Sequence, residues 1–146
     1  MTTQMQFARQ GVVTKEMEFV AREENLSPEF IREGVAKGTI AICCNVNHKN
    51  LKPCGVGAGL RVKVNANIGT SDSFPELAPE LGKLHAAIAA GVDSIMDLST
   101  GGNITASRRA IIGASDVMVG TVPIYQVAVK TIQKYGAVVE MTKEDL

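Results

Sequence analysis

Apolar residues recur at helical spacing along the first part of the chain. In the stretch Met17–Ala21 they lie three and four residues apart, which places them on one face of a helix that Thr14 can cap. The pattern restarts after Ser27, a favoured N-cap residue, with Pro28 at the first helical position. Gly38 is typical of a residue that ends a helix. These signals predict a helical N-terminal region.

Beyond Gly38 the pattern changes to strands that alternate with helices. The segment Leu60–Ala66 alternates apolar and polar residues, which is typical of a strand, whereas Glu76–Ala90 repeats its apolar residues every three or four positions, as an amphipathic helix does. Taken in order, the predicted strands are 39–44, 60–66, 93–98, 117–122 and 137–140, and the predicted helices are 76–90, 103–114 and 123–135.

This order of elements favours parallel strands joined by right-handed helical crossovers. A closed eight-stranded barrel needs about 250 residues, so a chain of 146 residues forms either an open sheet or the first part of a larger barrel. Residues 141–146 resemble the entry into a helix, which favours the second alternative. We predict an α/β fold, with a mainly helical N-terminal domain (residues 1–55) followed by the first three to four βα units of an incomplete (βα)8 barrel (residues 56–146).

Composition narrows the function classes. The chain has 15 basic and 15 acidic residues, so whole-chain charge gives no reason to expect nucleic acid or an anionic membrane as a partner. A hydrophobic content of 45% with 21% charged residues is typical of a globular domain. No apolar run reaches the ~18 residues of a membrane span, and the first residues lack the apolar run of a secretory signal. We therefore expect a cytoplasmic protein.

Cysteine and histidine residues suggest neither a disulfide framework nor a metal site. Cys43, Cys44 and Cys54 are odd in number and form no Cys-x-x-Cys motif, so we interpret them as small buried thiols. His85 lies between apolar neighbours on a predicted helix and is interpreted as packed or capping. His48 lies in a polar loop and is the better candidate for a functional role.

Small polar residues gather in the loops that follow three predicted strands, at 65–71, 97–103 and 120–126. In βα folds such loops lie at the ligand-binding edge, and amides, hydroxyls and free backbone N–H groups suit a polar heterocycle or a phosphate. The same residue types are ordinary turn formers, so the pattern alone leaves both interpretations open. Arg108 and Arg109 are most simply a solvated helix face. No catalytic residue can be assigned from this pattern.

Several ordered motifs resemble the phosphomethylpyrimidine synthase family of thiamine biosynthesis. The motifs are Ala8–Gly11, Thr14–Phe19, Asn45–His48, Lys63–Gly69, Met96–Gly101 and Gly120–Gln126. The resemblance covers nearly the whole chain. It implies a radical S-adenosylmethionine lyase that converts 5-aminoimidazole ribonucleotide to 4-amino-5-hydroxymethyl-2-methylpyrimidine phosphate. It also implies a homodimeric (βα)8-barrel enzyme that uses S-adenosylmethionine, a [4Fe–4S] cluster and zinc.

Three substrate-binding positions carry over from the family to Asn67, Met96 and Tyr125, which lie 29 residues apart in succession. Each falls in a loop or strand end that the residue pattern already marks as a pocket. The family resemblance implies that Asn67 and Tyr125 hydrogen-bond an imidazole or a ribose phosphate, while Met96 packs against the ring.

The sequence departs from the family by lacking its Cys-x-x-Cys-x-x-x-x-Cys cluster motif and its later histidine metal ligands. We therefore expect no metal ligand from this chain and no family reaction by this chain alone. Three alternatives follow. The chain is an N-terminal part of a synthase that requires its C-terminal half, a non-catalytic relative that binds the nucleotide or pairs with a partner, or a structural module without a ligand.

Overall fold

A computed structural model describes residues 3–146. These residues form two compact units. The first comprises the residues up to Val64 together with Asp116–Met118, and the second comprises Asn65–Ser115 together with the residues from Val119 onward. The domain division predicted between residues 55 and 56 remains a prediction. The helices are α1 (Gln4–Arg9), α2 (Lys15–Glu23), α3 (Pro28–Lys37), α4 (Leu77–Ala89), α5 (Ile104–Ala114) and α6 (Pro123–Tyr135), and the strands are β1 (Ile40–Cys43), β2 (Cys54–Gly57), β3 (Asn65–Ile68), β4 (Ser94–Asp97) and β5 (Met118–Thr121).

The first unit packs α1, α2 and α3 around an aliphatic core. The predicted caps are confirmed, because the hydroxyls of Thr14 and Ser27 accept hydrogen bonds from backbone N–H groups in the first turns of α2 and α3. Gly38 ends α3 in a left-handed conformation, with φ of 77°. The core side chains are those of Ala8, Met17, Val20, Ala21, Ile31, Val35 and Ile40.

Strands β1 and β2 form an antiparallel pair in the first unit. The sequence analysis did not predict β2. The pairing places Cys43 directly opposite Cys54, and these two residues and Cys44 are half-buried and form no disulfide. The prediction of buried thiols is therefore wrong in degree, because Cys43 and Cys54 lie on a short two-stranded sheet, with Cys44 directly after β1, and all three are only half-buried.

In the second unit β3 pairs with β4 in parallel, and β5 lies beside β4. The predicted parallel pairing is confirmed for β3 and β4. Because side chains alternate along a strand, one face of this pair carries Ile68, Ile95 and Asp97, all buried. The other face carries side chains that are exposed or half-buried, and Asn67 and Met96 lie on it.

Two predicted strands are wrong in position or type. Residues 61–64 are not in a strand, and Val62 is 88% exposed. The segment Val138–Glu140 is a 3₁₀ helix, because the N–H groups of Glu140 and Met141 bond to carbonyls three residues earlier. The fold is thus mixed α/β, and residues 3–146 contain no closed barrel. None of their helices combines the length and hydrophobicity that crossing a membrane requires.

Candidate functional site

The loops after β3 and β4 are joined to each other by hydrogen bonds. The Thr70 N–H donates to Ser99 Oγ at 3.1 Å, and the Thr70 hydroxyl donates to the Gly101 carbonyl at 2.7 Å. In return, the Thr100 N–H donates to the Thr70 carbonyl at 2.8 Å. Thr70 and Ser99 are both almost fully buried. The two strand ends that precede these loops are therefore held in a fixed relation.

Gly69 allows an unusual backbone conformation directly after β3. Its φ of 153° belongs to a region that favours glycine, and a Cβ at this position would lie 2.6 Å from the Ser99 backbone nitrogen. The Gly69 N–H donates to the carboxylate of Glu80, at 2.7 Å. Glu80 is 1% exposed, and Lys83 donates to its other oxygen at 2.6 Å. A buried carboxylate on α4 thus fixes the turn that follows Asn67.

Asn67 and Met96 are direct neighbours across the parallel pair β3–β4. The Asn67 side chain is exposed, and its Oδ1 accepts a hydrogen bond from Asn65 Nδ2 at 2.8 Å. Met96 is half-buried beside Gly120 of β5, where a Cβ would lie 2.9 Å from the Met96 methyl carbon. The structure therefore brings two of the three predicted site residues onto one accessible sheet face.

Tyr125 lies in the first turn of α6, directly after β5. Pro123 opens this helix, and the Tyr125 N–H bonds to the Val122 carbonyl at 3.0 Å. The tyrosine is 41% exposed. This exposure leaves part of the side chain accessible from solvent.

A hydrogen-bonded network links the end of β4 to the start of α6. The carboxylate of Asp97, 1% exposed, accepts from the Ser99 N–H at 3.0 Å and from Arg108 Nε at 3.3 Å. Arg108 Nη1 then donates to Gln126 Oε1 at 2.7 Å, and Gln126 Nε2 donates to Thr105 Oγ1 at 3.0 Å. This network connects the residue after Met96 to the residue after Tyr125.

Sequence reasoning missed the role of Arg108. The interpretation of a solvated arginine pair fits Arg109, which is exposed, but is wrong for Arg108, whose side chain is 21% exposed and pairs with Asp97. The available signal was Asp97 itself, because an aspartate at the end of an apolar strand needs a buried partner. For the histidines, His48 is buried in its loop and His85 is exposed on α4, so the packed interpretation of His85 is wrong.

An open groove of about 430 Å³ lies where the N-terminal end of α5 meets α6. Thr105 and Gln126 of the network line it, together with Lys130. Asn103 Oδ1 caps α5 by accepting from the Ala106 N–H at 3.0 Å. The groove is widely open to solvent, and its lining combines these polar side chains with apolar ones such as Ile104 and Val129.

The described residues supply no ligand set for an iron–sulfur cluster or a zinc ion. Cys43 and Cys54 face each other on β1 and β2, and burial together with the nearby Glu16 charge raises the pKa of the Cys44 thiol. In residues 3–146 no three His, Cys, Asp or Glu side chains are arranged to hold a metal ion.

Comparison with known proteins places this arrangement in a family. A model of the radical SAM ThiC family matches residues 3–146. The phosphomethylpyrimidine synthase of Thermoanaerobacter sp. (strain X514) is 58% identical over 142 residues, which is 97% of this chain and 33% of that protein. The phosphomethylpyrimidine synthase of Desulfitobacterium hafniense (strain DSM 10664 / DCB-2) is 56% identical over 144 residues, 99% of this chain and 33% of that protein.

The chain thus spans about a third of the length of the curated relatives it matches. The matched family model covers the strand ends, the loops and the helices that surround Asn67, Met96 and Tyr125. On this evidence the chain belongs to the radical SAM ThiC family.

Proposed function

We propose that this chain forms part of the substrate pocket for 5-aminoimidazole ribonucleotide in the synthesis of the thiamine pyrimidine. The observation that carries the proposal is the placement of Asn67 opposite Met96 on the accessible face of β3–β4. Ligands of parallel βα folds bind beyond the carboxyl ends of the strands. Family membership supports this class of reaction, and the exposed pair supports this sheet face as the proposed place of the substrate.

Each of the three residues has a chemistry that suits an aminoimidazole ribonucleotide. The Asn67 amide both donates and accepts hydrogen bonds, and the Tyr125 phenol does the same. The Met96 thioether is polarizable and adapts its shape to a flat heterocycle. In the proposed complex Asn67 and Tyr125 orient polar groups of the ribonucleotide, while Met96 contacts the ring face.

The radical step of the family requires a cluster to supply an electron to S-adenosylmethionine. The residues described here provide no ligand set for that cluster. We propose that this chain acts on the substrate side, and that a C-terminal half or a second subunit of a homodimer supplies the cluster and zinc ligands. In this proposal the conversion to 4-amino-5-hydroxymethyl-2-methylpyrimidine phosphate belongs to the assembled lyase, in the cytoplasm.

The test is a titration of the chain with 5-aminoimidazole ribonucleotide, followed by NMR or calorimetry. We expect saturable binding that Asn67→Ala combined with Tyr125→Phe weakens by about tenfold or more, the equivalent of one or two lost hydrogen bonds. Tyr135→Phe is the matched control, because Tyr135 is similarly exposed but lies at the opposite end of α6. Absence of binding at millimolar ligand, or equal effects of the test and control variants, would overturn the proposal.

A further inference from the structure

We propose that Arg108 is a positioning residue that sets the geometry of Met96 and Tyr125 together. The inference rests on the proposed function, because it assigns Arg108 to the pocket those two residues form. Its guanidinium bonds to Asp97 and Gln126, which are their immediate neighbours in sequence.

The contact to Asp97 restrains the end of β4. Asp97 is the last residue of β4 and follows Met96, so the orientation of its carboxylate restrains the strand end that carries the thioether. The same carboxylate accepts from the Ser99 N–H and hydroxyl, which ties Arg108 to the loop bonded to Thr70. A buried carboxylate with three donors has little freedom to move.

The contact to Gln126 restrains the start of α6. No side-chain hydrogen bond caps the N-terminus of α6, and Val122 stands at its N-cap position. The first turn of α6 is therefore restrained by the Gln126 side chain, which accepts from Arg108 and donates to Thr105 of α5. Because Tyr125 precedes Gln126 in this turn, a change at Gln126 alters where the phenol lies.

Arginine suits this task because its planar guanidinium offers separate nitrogens in a fixed geometry. Nε serves Asp97 and Nη1 serves Gln126. The single nitrogen of a lysine can keep a positive charge near Asp97 but cannot occupy both positions. Arg108→Lys therefore separates charge compensation from geometric coupling.

The experiment follows the Met96 methyl and Tyr125 ring signals by NMR in the ligand-free chain, with assignments from Met96→Leu and Tyr125→Phe. We expect Gln126→Ala to shift the Met96 methyl signal in the wild-type background, and to leave it unchanged in the Arg108→Lys background. The matched controls are Gln133→Ala, on an exposed position of the same helix, and Arg109→Gln, next to Arg108 and exposed. Neither control should move either signal.

The ribonucleotide titration is then repeated on the same variants. Gln126→Ala and Arg108→Lys should each weaken binding by about fivefold, the equivalent of one hydrogen bond, with thermal stability close to that of the wild type. The inference is overturned if Gln126→Ala leaves the Met96 signal unmoved, or if it moves that signal equally in both backgrounds. If the wild type binds no ribonucleotide, the proposed function fails, while the ligand-free spectra still decide whether Arg108 couples the two residues.

Discussion

Gly120 of β5 leaves the space that the Met96 thioether occupies. A Cβ built on Gly120 would lie 2.9 Å from the Met96 methyl carbon and 3.0 Å from its sulfur. The atoms that an added Cβ meets belong to the end of a flexible side chain, so they can move at small cost. A substitution at Gly120 can therefore change the position of the Met96 side chain without altering Met96 itself.

Gly120→Ala should therefore displace the thioether while the fold is retained. We expect a loss of about 1 kcal/mol or less in the free energy of unfolding, because a methionine side chain adapts to overpacking. Binding of 5-aminoimidazole ribonucleotide should weaken severalfold, and the Met96 methyl signal should shift. Unfolding curves and an NMR titration measure both effects. An unchanged affinity with a shifted methyl signal would remove Met96 from the proposed contact surface.

Glu80 should matter more for stability than its surface partner Lys83. Glu80→Ala leaves the half-buried Gly69 N–H without its acceptor, which costs about 1–3 kcal/mol, whereas Lys83→Ala removes a side chain that is 56% exposed and should cost less than about 1 kcal/mol. The Gly69 amide should exchange with solvent faster in Glu80→Ala, and Glu80→Gln should retain part of its protection. Equal destabilisation by the alanine variants at positions 80 and 83 would contradict this account.

The helices were predictable from the sequence because their caps and apolar spacing are local signals. Thr14, Ser27 and Gly38 each act where the pattern placed them. The predicted bounds of α4, α5 and α6 differ from the observed ones by one residue or none. Local chemistry decides where such elements begin and end.

The strand predicted at 60–66 is absent over residues 60–64. A side chain distant in sequence binds the backbone there, and local alternation of residues gives no sign of such a contact. The Arg61 N–H donates to the carboxylate of Glu24, and Lys63 Nζ donates to the same carboxylate at 2.8 Å. The alternating residues are thus held by α2 and its C-cap instead of a neighbouring strand. The strand begins only at Asn65, where pairing with Ser94 starts.

The site was predicted in part. Loop composition marked the regions of Asn67 and Met96, and the parallel register then placed these residues side by side. The Arg108 network was missed, because a contact between residues on three separate elements leaves no periodic signal in the sequence.

Gly82→Ala should stabilise the protein. Gly82 lies within α4 on an exposed position, and a Cβ there would meet no atom within 4 Å. Alanine reduces the entropy of the unfolded chain and favours the helix by about 0.4–1 kcal/mol. Thermal or urea unfolding measures the gain. The variant is also a control for Gly120→Ala, since it adds the same methyl group far from Met96 in sequence and should leave its signal in place. A destabilised Gly82→Ala would mean that α4 is less regular than described.

The ion pair of Glu24 with Lys63 should make the free energy of unfolding depend on pH in the acidic range. The two side chains are 4% and 8% exposed. Burial alone would raise the pKa of Glu24, but hydrogen bonds from Lys63 and from the Arg61 backbone, with the charges of both residues, outweigh it and lower that pKa below its ordinary value. A lowered pKa in the folded state stabilises the fold above the unfolded pKa of about 4.5, and this contribution is lost as the pH falls through the folded pKa.

Glu24→Gln should therefore be less stable than the wild type by about 2–3 kcal/mol at neutral pH, because Lys63 is left buried beside a neutral amide. The difference should shrink as the pH falls from the ordinary carboxyl value through the lowered pKa of folded Glu24, below which the wild-type carboxylate is protonated as well. Urea unfolding at a series of pH values measures this convergence. Glu23→Gln is the matched control, because Glu23 is the adjacent glutamate and is exposed. A stability difference for Glu24→Gln that stays constant down to low pH would show that the Glu24 charge does not stabilise this fold.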